Sequence, residues 1–299
     1  MARELFVLVT MDCERVRSES YYGDGTESWQ MSQRAIEGMA GILRDEGMKG
    51  TFLPTPATAA KQAALFRQLQ SEGFELGLQL HCDSFREGQY RQPLGTYGYR
   101  EQKEILSLAK ADWEDALGSA LLTYRSGYLS ANDLTFPILA ELGIKQTSCS
   151  KAGRYVPSRG GLWLGAVPYA HRASATNRLE PGDLDLVEVP VSSHPGERFS
   201  LKASFDPTDP RPDHNHPFPV YAQLVDAALW EVELIDPEVK TFVILTHNTI
   251  DYADRDDSRA QKLVRMLRYL KGKEEEGWTI VPATLADVRE ALLAREQKT

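Results

Sequence analysis

Residues 5–14 read LFVLVTMDCE, an apolar run rich in β-branched side chains that ends at two acidic residues. Such a run is typical of a buried strand in a parallel sheet. Asp12 and Glu14 follow this strand at its carboxyl end, which is where the active sites of parallel α/β proteins lie. The stretch therefore predicts both a parallel α/β fold and the edge at which functional groups gather.

The same pattern recurs along the chain, because short apolar runs alternate with amphipathic segments. The predicted strands are Leu5–Met11, Gly50–Leu53, Phe74–His81, Leu121–Arg125, Ile144–Cys149, Leu184–Val191, Lys240–Thr246 and Trp278–Val281. The predicted helices are Ser32–Glu46, Ala57–Gln70, Arg100–Leu117, Asn132–Leu142, Tyr221–Leu234, Ser258–Lys273 and Ala286–Glu296. About eight strands, each followed by a helix or a long loop, favour a (β/α) barrel. An open doubly wound sheet is the alternative that the same alternation allows.

Composition narrows the classes of partner. The 299 residues contain neither a domain linker nor a repeat, so residues 1–299 are predicted to form a single domain. The 34 Lys and Arg against 43 Asp and Glu give a net charge of -9, and the basic residues form no dense cluster. This charge pattern argues against nucleic acid as a partner.

The sequence also indicates where the protein is located. No apolar run reaches the length of a membrane span, no signal segment is evident, and three cysteines suit a reducing compartment. We expect a cytoplasmic protein without a membrane partner, and an oligomer remains possible.

Candidate catalytic residues stand at the ends of the predicted strands. Asp12 and Glu14 could supply a general base and a metal-binding carboxylate, or could cap the turn that follows the strand. His81 and Asp83 follow the third strand, and both lie on one face with Gln79 if that strand continues. They could bind a metal, or His81 could be a hydrogen-bonded structural group.

Two further strand ends carry polar groups. Arg125 precedes a tight turn through Tyr128 and could orient a carboxylate, or could form an internal ion pair. His247 could act as a general acid, or could be a buried and satisfied histidine.

Three weaker sets of candidates remain. His214 and His216 have a spacing that could hold a metal, although their Pro-rich loop, residues 206–219, is typical of a solvated surface segment. Cys13 and Cys82 flank the proposed ligands and could supply thiolates to zinc, which ranks below ligation by carboxylate and imidazole. The last set consists of aromatic residues that could stack on a sugar ring, namely Tyr21, Tyr22 and Trp29.

Taken in order, six motifs resemble those of the NodB-homology polysaccharide deacetylases, carbohydrate esterase family 4. They are Thr10–Glu14 with Asp12, Gly50–Leu53, Glu75–His81, Arg125–Tyr128, Glu188–Pro190 and Ile244–His247. The resemblance spans nearly the whole chain. It implies a distorted TIM-like (β/α) barrel of seven to eight strands that holds one divalent metal, commonly zinc, and removes N-acetyl groups from amino sugars.

The resemblance also assigns roles to individual residues. It makes Asp12 the catalytic base, Arg125 the residue that holds this base, and His247 the general acid. Tyr128 becomes the backbone donor to the tetrahedral intermediate, and Glu14 stands where some members carry a metal-binding carboxylate.

The second motif departs from the family pattern. The family has Gly-x-His-x-x-x-His, whereas this chain, aligned from Gly77, has Gln79 and Asp83 at the two ligand positions. His81 falls between them. The expected metal ligands are therefore Glu14, His81 and Asp83, for one divalent ion such as zinc.

The resulting hypothesis is metal-dependent hydrolysis of an N-acetyl amide on a sugar or glycan precursor. Two alternatives remain. The first is a C–N hydrolase that acts on a small non-sugar amide. The second is a non-catalytic carbohydrate-binding barrel that has lost the metal.

Overall fold

The structure is a computed structural model that describes residues 3–20, 25–200 and 202–297. Its strands are β1 (Glu4–Cys13), β2 (Thr51–Pro54), β3 (Glu75–Leu76), β4 (Leu78–Leu80), β5 (Thr123–Ser126), β6 (Gln146–Thr147), β7 (Tyr155–Val156), β8 (Gly161–Leu162), β9 (His171–Arg172), β10 (Val187–Glu188), β11 (Thr241–His247) and β12 (Thr279–Ala283). Its α-helices are α1 (Trp29–Asp45), α2 (Pro56–Lys61), α3 (Ala63–Ser71), α4 (Tyr99–Leu117), α5 (Thr135–Glu141), α6 (Phe218–Ile235), α7 (Ser258–Gly272) and α8 (Leu285–Glu296).

The strands close into a parallel barrel around β1. This strand pairs along one edge with β11 and along the other with β12 at its start and β2 at its end. β3 and β4 are two parts of one strand, interrupted at Gly77, and they connect the β1 sheet to the sheet β4-β5-β6-β10. Ser192, which follows β10, completes the ring. Its backbone N–H donates to Val243 O at 3.3 Å, and its side-chain Oγ accepts from Val243 N at 2.9 Å.

The barrel expected from the sequence is thus confirmed, and the open sheet is not what forms. Within the described residues the ring runs β1, β2, β3 with β4, β5, β6, β10 and β11, which makes seven members. The eighth predicted strand, β12, lies outside this ring and pairs with the first half of β1. A short strand, β9, adds to β10 in the antiparallel direction.

β1 shows how the sequence places the site. Because side chains alternate along a strand, the odd-numbered ones from Leu5 to Met11 pack in the large core that includes the helices. Phe6 and Leu8 point the other way, into a smaller apolar cluster formed with β10, β11 and α8. Asp12 continues this second face and so points into the mouth of the barrel.

Several predicted boundaries differ from the structure for local reasons. The single helix expected at Ala57–Gln70 is two helices, because Gln62 leaves the helical conformation and its side chain bonds Ser32 Oγ and Trp29 O. The first helix begins three residues early, at Trp29, because Ser28 Oγ accepts from Met31 N and caps it.

Within the described parts of the chain, no helix combines the length and the apolar character needed to cross a membrane.

Candidate active site

A cavity of about 320 Å³ opens at the carboxyl ends of the barrel strands. Six of the residues singled out from the sequence line it, namely Asp12, Glu14, Gln79, His81, Tyr128 and His247. Arg125 lies beneath the floor with its side chain fully buried. Asp83 does not line this cavity.

Asp12 is anchored by Arg125 through a buried ion pair. Arg125 Nη1 donates to Asp12 Oδ1 at 2.8 Å and to Thr10 Oγ1 at 2.8 Å. The other side of the guanidinium donates to Ser148, to its carbonyl oxygen at 3.0 Å and its hydroxyl at 2.9 Å. The planar guanidinium is thus held on both sides. Asp12 Oδ1 accepts from Arg125, whereas Asp12 Oδ2 faces Gln79 and His247 in the cavity.

The residues on either side of Ser148 are held by Glu188. The Glu188 carboxylate accepts from the backbone N–H of Cys149 at 3.0 Å and of Ser150 at 2.8 Å, and from the Ser150 hydroxyl at 2.7 Å. Glu188 belongs to the fifth sequence motif. Its position explains that motif as a support for the segment that orients Arg125.

His247 ends β11 directly opposite Asp12, its partner in the strand register. Its Nδ1 lies 2.5 Å from Asp213 Oδ2, and the other Asp213 oxygen accepts from Thr246 Oγ1. Burial by itself would lower the pKa of His247, but the charge and hydrogen bond of Asp213, with a smaller contribution from Asp12, raise it above the ordinary value. The imidazolium form is therefore favoured, as a general acid requires.

Asp12 and His247 face each other across the cavity floor. His247 Nε2 lies 4.0 Å from Asp12 Oδ2. One residue is a carboxylate fixed by an arginine, and the other is a histidine backed by a second carboxylate. This pair can remove a proton at one point and deliver a proton close by, which is the requirement of general acid–base catalysis.

Glu14 lies beside this pair in a cluster with Gln79 and His81. Glu14 Oε1 accepts from Gln79 Nε2 at 2.8 Å and lies 3.0 Å from His81 Nε2. Burial would raise the pKa of Glu14, but His81, His247 and Gln79 together lower it to about 2. Asn248 fixes the backbone of Glu14 by bonding both its N–H and its C=O.

The predicted metal ligands do not form a three-ligand set. Glu14 meets the Nε2 side of His81, whereas Asp83 lies 3.9 Å from Nδ1 on the opposite side of the same ring. Among the described residues, no three His, Cys, Asp or Glu side chains converge on a point where one ion could bind. Asp83 therefore cannot bind the same ion as Glu14 through a shared face of the His81 ring. The residues present therefore do not fit the divalent ion that the sequence motifs imply.

Tyr128 occupies a strained turn after β5. Its φ of 59° lies in the left-handed region, as does the φ of 53° at Leu129, and such backbone is uncommon for residues other than glycine. The Tyr128 ring packs edge-on against His81 at 4.4 Å between centroids, and the Arg159 guanidinium stacks 4.2 Å from the Tyr128 ring. The turn therefore places this backbone beside the cluster.

The weaker candidates lie elsewhere. His214 is 3.6 Å from Asp209, and it packs against His216 at 5.7 Å between ring centroids. Neither lines the cavity. Cys13 and Cys82 are buried thiols, and burial raises the pKa of both, so neither is a ready thiolate.

Of the aromatic candidates, Tyr21 and Tyr22 lie outside the described residues. Trp29 begins α1 and donates through Nε1 to Glu19 at 3.0 Å.

The sequence pattern does not predict Asp213, the residue that contacts His247 Nδ1. Asp213 stands next to His214 in the Pro-rich loop, where the spacing of His214 and His216 is the more prominent pattern. The contact between Asp213 and His247 depends on how the loop folds back toward β11, 34 residues away in sequence. No local sequence pattern predicts this contact. The loop also brings Arg211 and Asp206 to the cavity wall, together with Arg154.

Comparisons with known proteins support the fold. No protein-family model matches the sequence, and no curated protein is found to be similar to it. The structure is similar to that of a protein from Mycobacterium smegmatis designated a polysaccharide deacetylase, with a TM-score of 0.64 and 18% identity over 98% of this chain and 92% of that chain.

Two other solved structures are similar over nearly the same span. A protein from Pseudomonas aeruginosa PAO1, also designated a polysaccharide deacetylase, has a TM-score of 0.57 and 11% identity over 97% of this chain and 91% of that chain. An allantoinase, PuuE, has a TM-score of 0.60 and 13% identity over 98% of this chain and 91% of that chain. This chain therefore has the distorted (β/α) barrel fold of the polysaccharide deacetylases, as its ordered motifs predict.

Proposed function

We propose that this protein hydrolyses the C–N bond of an amide, with an N-acetylated sugar or glycan precursor as the leading substrate class. The observation that carries the proposal is the opposed pair of Asp12, fixed by Arg125, and His247, backed by Asp213, at the mouth of a barrel of this fold. The fold supports the same reaction class only as an analogy.

In the proposed reaction Asp12 Oδ2 takes a proton from a water molecule, whose oxygen attacks the amide carbonyl. The carbonyl oxygen becomes an oxyanion, and the Tyr128 backbone N–H is the proposed donor to it. His247 Nε2 then gives its proton to the amide nitrogen, so that the C–N bond breaks and a carboxylic acid and an amine leave. Arg125 is a positioning residue, because it touches Asp12 and not the substrate.

A small non-sugar amide is the second substrate class. One structural neighbour is an allantoinase, and the cavity of about 320 Å³ suits a compact ligand. Its wall carries the guanidinium groups of Arg154 and Arg211, which can donate to carbonyl oxygens. Both classes share the cleaved bond and the proposed roles of Asp12 and His247.

The test is a hydrolysis screen with a panel that contains mono- and oligomeric N-acetylglucosamine and allantoin. Released amine or acetate is measured for the sugars, and ring opening for allantoin. For a substrate that is turned over, we expect Asp12→Asn and His247→Asn each to lower kcat by roughly 10²- to 10⁴-fold. Asp256→Asn, at an exposed residue that does not line the cavity, is the matched control and keeps full activity.

Two outcomes would count against the proposal. Turnover that survives Asp12→Asn in a folded variant would remove Asp12 from the role of base. Binding of N-acetylated sugars without release of any product would favour the non-catalytic carbohydrate-binding barrel.

A further inference from the structure

The side chain of Gln79 lies among the groups that the motifs suggest as metal ligands. Its amide nitrogen is 2.8 Å from Glu14 Oε1, 3.3 Å from Asp12 Oδ2 and 3.0 Å from His81 Nε2. The residue is 2% exposed. A single neutral nitrogen thus stands between two carboxylates and an imidazole.

The orientation of the amide follows from electrostatics. Turned over, Gln79 would direct its carbonyl oxygen at the carboxylates of Asp12 and Glu14, which accept hydrogen bonds and repel it. In the observed orientation, Gln79 Oε1 is buried and has no hydrogen-bond partner in the described parts of the chain. The side chain therefore leaves its carbonyl oxygen without a hydrogen bond, while its nitrogen donates to the carboxylates of Asp12 and Glu14.

A carboxamide nitrogen in this position cannot act as a metal ligand. Its two hydrogens are donors and it offers no lone pair to a cation. A zinc ion would have to lie about 2.0–2.2 Å from both Glu14 Oε1 and His81 Nε2. The Gln79 nitrogen lies 2.8 Å from the first of these atoms and 3.0 Å from the second, so a hydrogen-bond donor faces both atoms where a cation would have to.

We propose that the amide of Gln79 replaces a divalent cation in this pocket, so that Asp12, Glu14 and His81 are held together by hydrogen bonds and the pocket binds no metal. It follows that a single isosteric change, Gln79→Glu, creates a cation site. This variant exchanges a donor for a third carboxylate beside Asp12 and Glu14, and a bound divalent cation would then offset the repulsion among the carboxylates. The inference concerns binding and stands independently of the proposed hydrolysis.

The experiment compares the full-length wild type, Gln79→Glu and Gln33→Glu by calorimetric titration with Zn²⁺ and Mn²⁺. Gln33 is a matched control, because its amide also donates to a glutamate, Glu37 at 2.8 Å, but on the exposed face of α1. We expect Gln79→Glu to bind one equivalent at least tenfold more tightly than the wild type does, and Gln33→Glu to resemble the wild type. Circular dichroism confirms that each variant is folded.

Thermal melting gives a second readout. EDTA and Zn²⁺ should leave the Tm of the wild type unchanged, and Zn²⁺ should raise the Tm of Gln79→Glu. If Gln79→Glu does not fold, the titration and the thermal melt are repeated with Gln79→His. This variant supplies a nitrogen ligand in place of the donor, and the same results are expected. No substrate is involved, so the titration can fail while the hydrolysis screen succeeds, and the reverse.

Two results would overturn the inference. One is a wild-type protein that retains a stoichiometric divalent ion through dialysis and loses it in Glu14→Ala. The other is a folded Gln79→Glu variant whose affinity for both ions equals that of the wild type.

Discussion

His247 has a carboxylate on each side of its ring. Asp213 contacts Nδ1 at 2.5 Å and Asp12 lies 4.0 Å from Nε2, whereas the nearby charge of Arg211 acts against protonation. The two carboxylates outweigh both burial and Arg211, so the pKa of His247 is raised. A general acid works only in its protonated form, so activity should fall as the pH rises through this pKa.

Asp213→Asn should therefore lower the pKa of His247 and move the alkaline limb of the activity profile to lower pH. The sign follows because the variant removes a negative charge that stabilises the imidazolium. An NMR titration of the His247 ring protons measures the pKa directly and needs no substrate. Asp256→Asn, with an exposed carboxylate, is the control, and an unchanged His247 pKa in Asp213→Asn would refute the assigned cause.

Arg125 also allows a residue-scale prediction, this time of stability. Arg125→Met should reduce the free energy of unfolding by about 3–5 kcal/mol, because it leaves Asp12 as a buried carboxylate without its cation. Chemical denaturation measures this loss. The double variant Asp12→Asn/Arg125→Met should lose less than the sum of the single losses, since the unpaired charge is then absent.

The control for Arg125 is an arginine that pairs with an aspartate on the surface. Arg86 contacts Asp112 at 3.0 Å with both side chains more than a third exposed. Arg86→Met should change the free energy of unfolding by about 1 kcal/mol or less. Equal losses at the two sites would show that burial of the Asp12–Arg125 pair contributes nothing.

At the scale of elements, the turn after β5 is shaped by a close approach at Gly127. A Cβ atom at this position would lie 2.6 Å from His81 Cγ and Nδ1, well inside van der Waals contact. The imidazole can move away only by giving up its contacts with Glu14 or Tyr128. The glycine is therefore required by the position of His81.

Gly127→Ala should destabilise the protein by about 1–3 kcal/mol, as expected for overpacking, and should displace the His81 ring. Denaturation measures the first effect, and the chemical shifts of the His81 ring measure the second. Gly272→Ala, at the end of α7, where a Cβ meets nothing within 4 Å, is the control and should be neutral. A tolerated Gly127→Ala with an unshifted His81 would mean that this turn is not packed as described.

The elements divide clearly into those that the sequence predicts and those that it does not. β1 and β11 are mostly apolar and reach Asp12 and His247 at their carboxyl ends, and Arg125 stands near the end of the buried strand β5. Strand pattern and rim position therefore locate the three side chains. The interruption of α2 and α3 at Gln62 depends on contacts with α1, which are distant in sequence. Such tertiary contacts override local propensity, and no window of sequence contains them.

The loop that carries Asp213 shows that some site contacts, too, cannot be predicted from a local sequence pattern. The spacing of His214 and His216 predicts a ligand pair, yet their neighbour Asp213 is the residue that contacts His247. Likewise, alternation on one face correctly grouped Gln79 with His81, but Asp83 follows the strand as part of a 3₁₀ helix and leaves that face. Sequence periodicity holds only while the strand continues, and β4 ends at Leu80.

At the scale of the whole molecule, β1 is the centre of the barrel. It bonds to three strands, β2, β11 and β12, and every residue from Leu5 to Cys13 is buried. The segment between β6 and β10 is built differently. It carries the two-residue strands β7 and β8, which form a hairpin (residues 155–162). Among the described residues these two strands pair with each other and make one further bridge, from Tyr155 to Phe205. The first region should therefore open only with the whole molecule, and the second should open locally.

Hydrogen exchange followed by mass spectrometry tests this division. Peptides that cover residues 5–12 should exchange slowest, at rates set by global unfolding, and peptides that cover 155–162 should exchange at least about tenfold faster. In Arg125→Met, exchange at 5–12 should accelerate by the factor that corresponds to its lost free energy of unfolding, because those amides report global stability. The local opening of 155–162 should be nearly unaffected. Equal protection of the two regions in the wild type would show instead that barrel and hairpin unfold as one cooperative unit, and the Arg125 substitution would then accelerate both by the same factor.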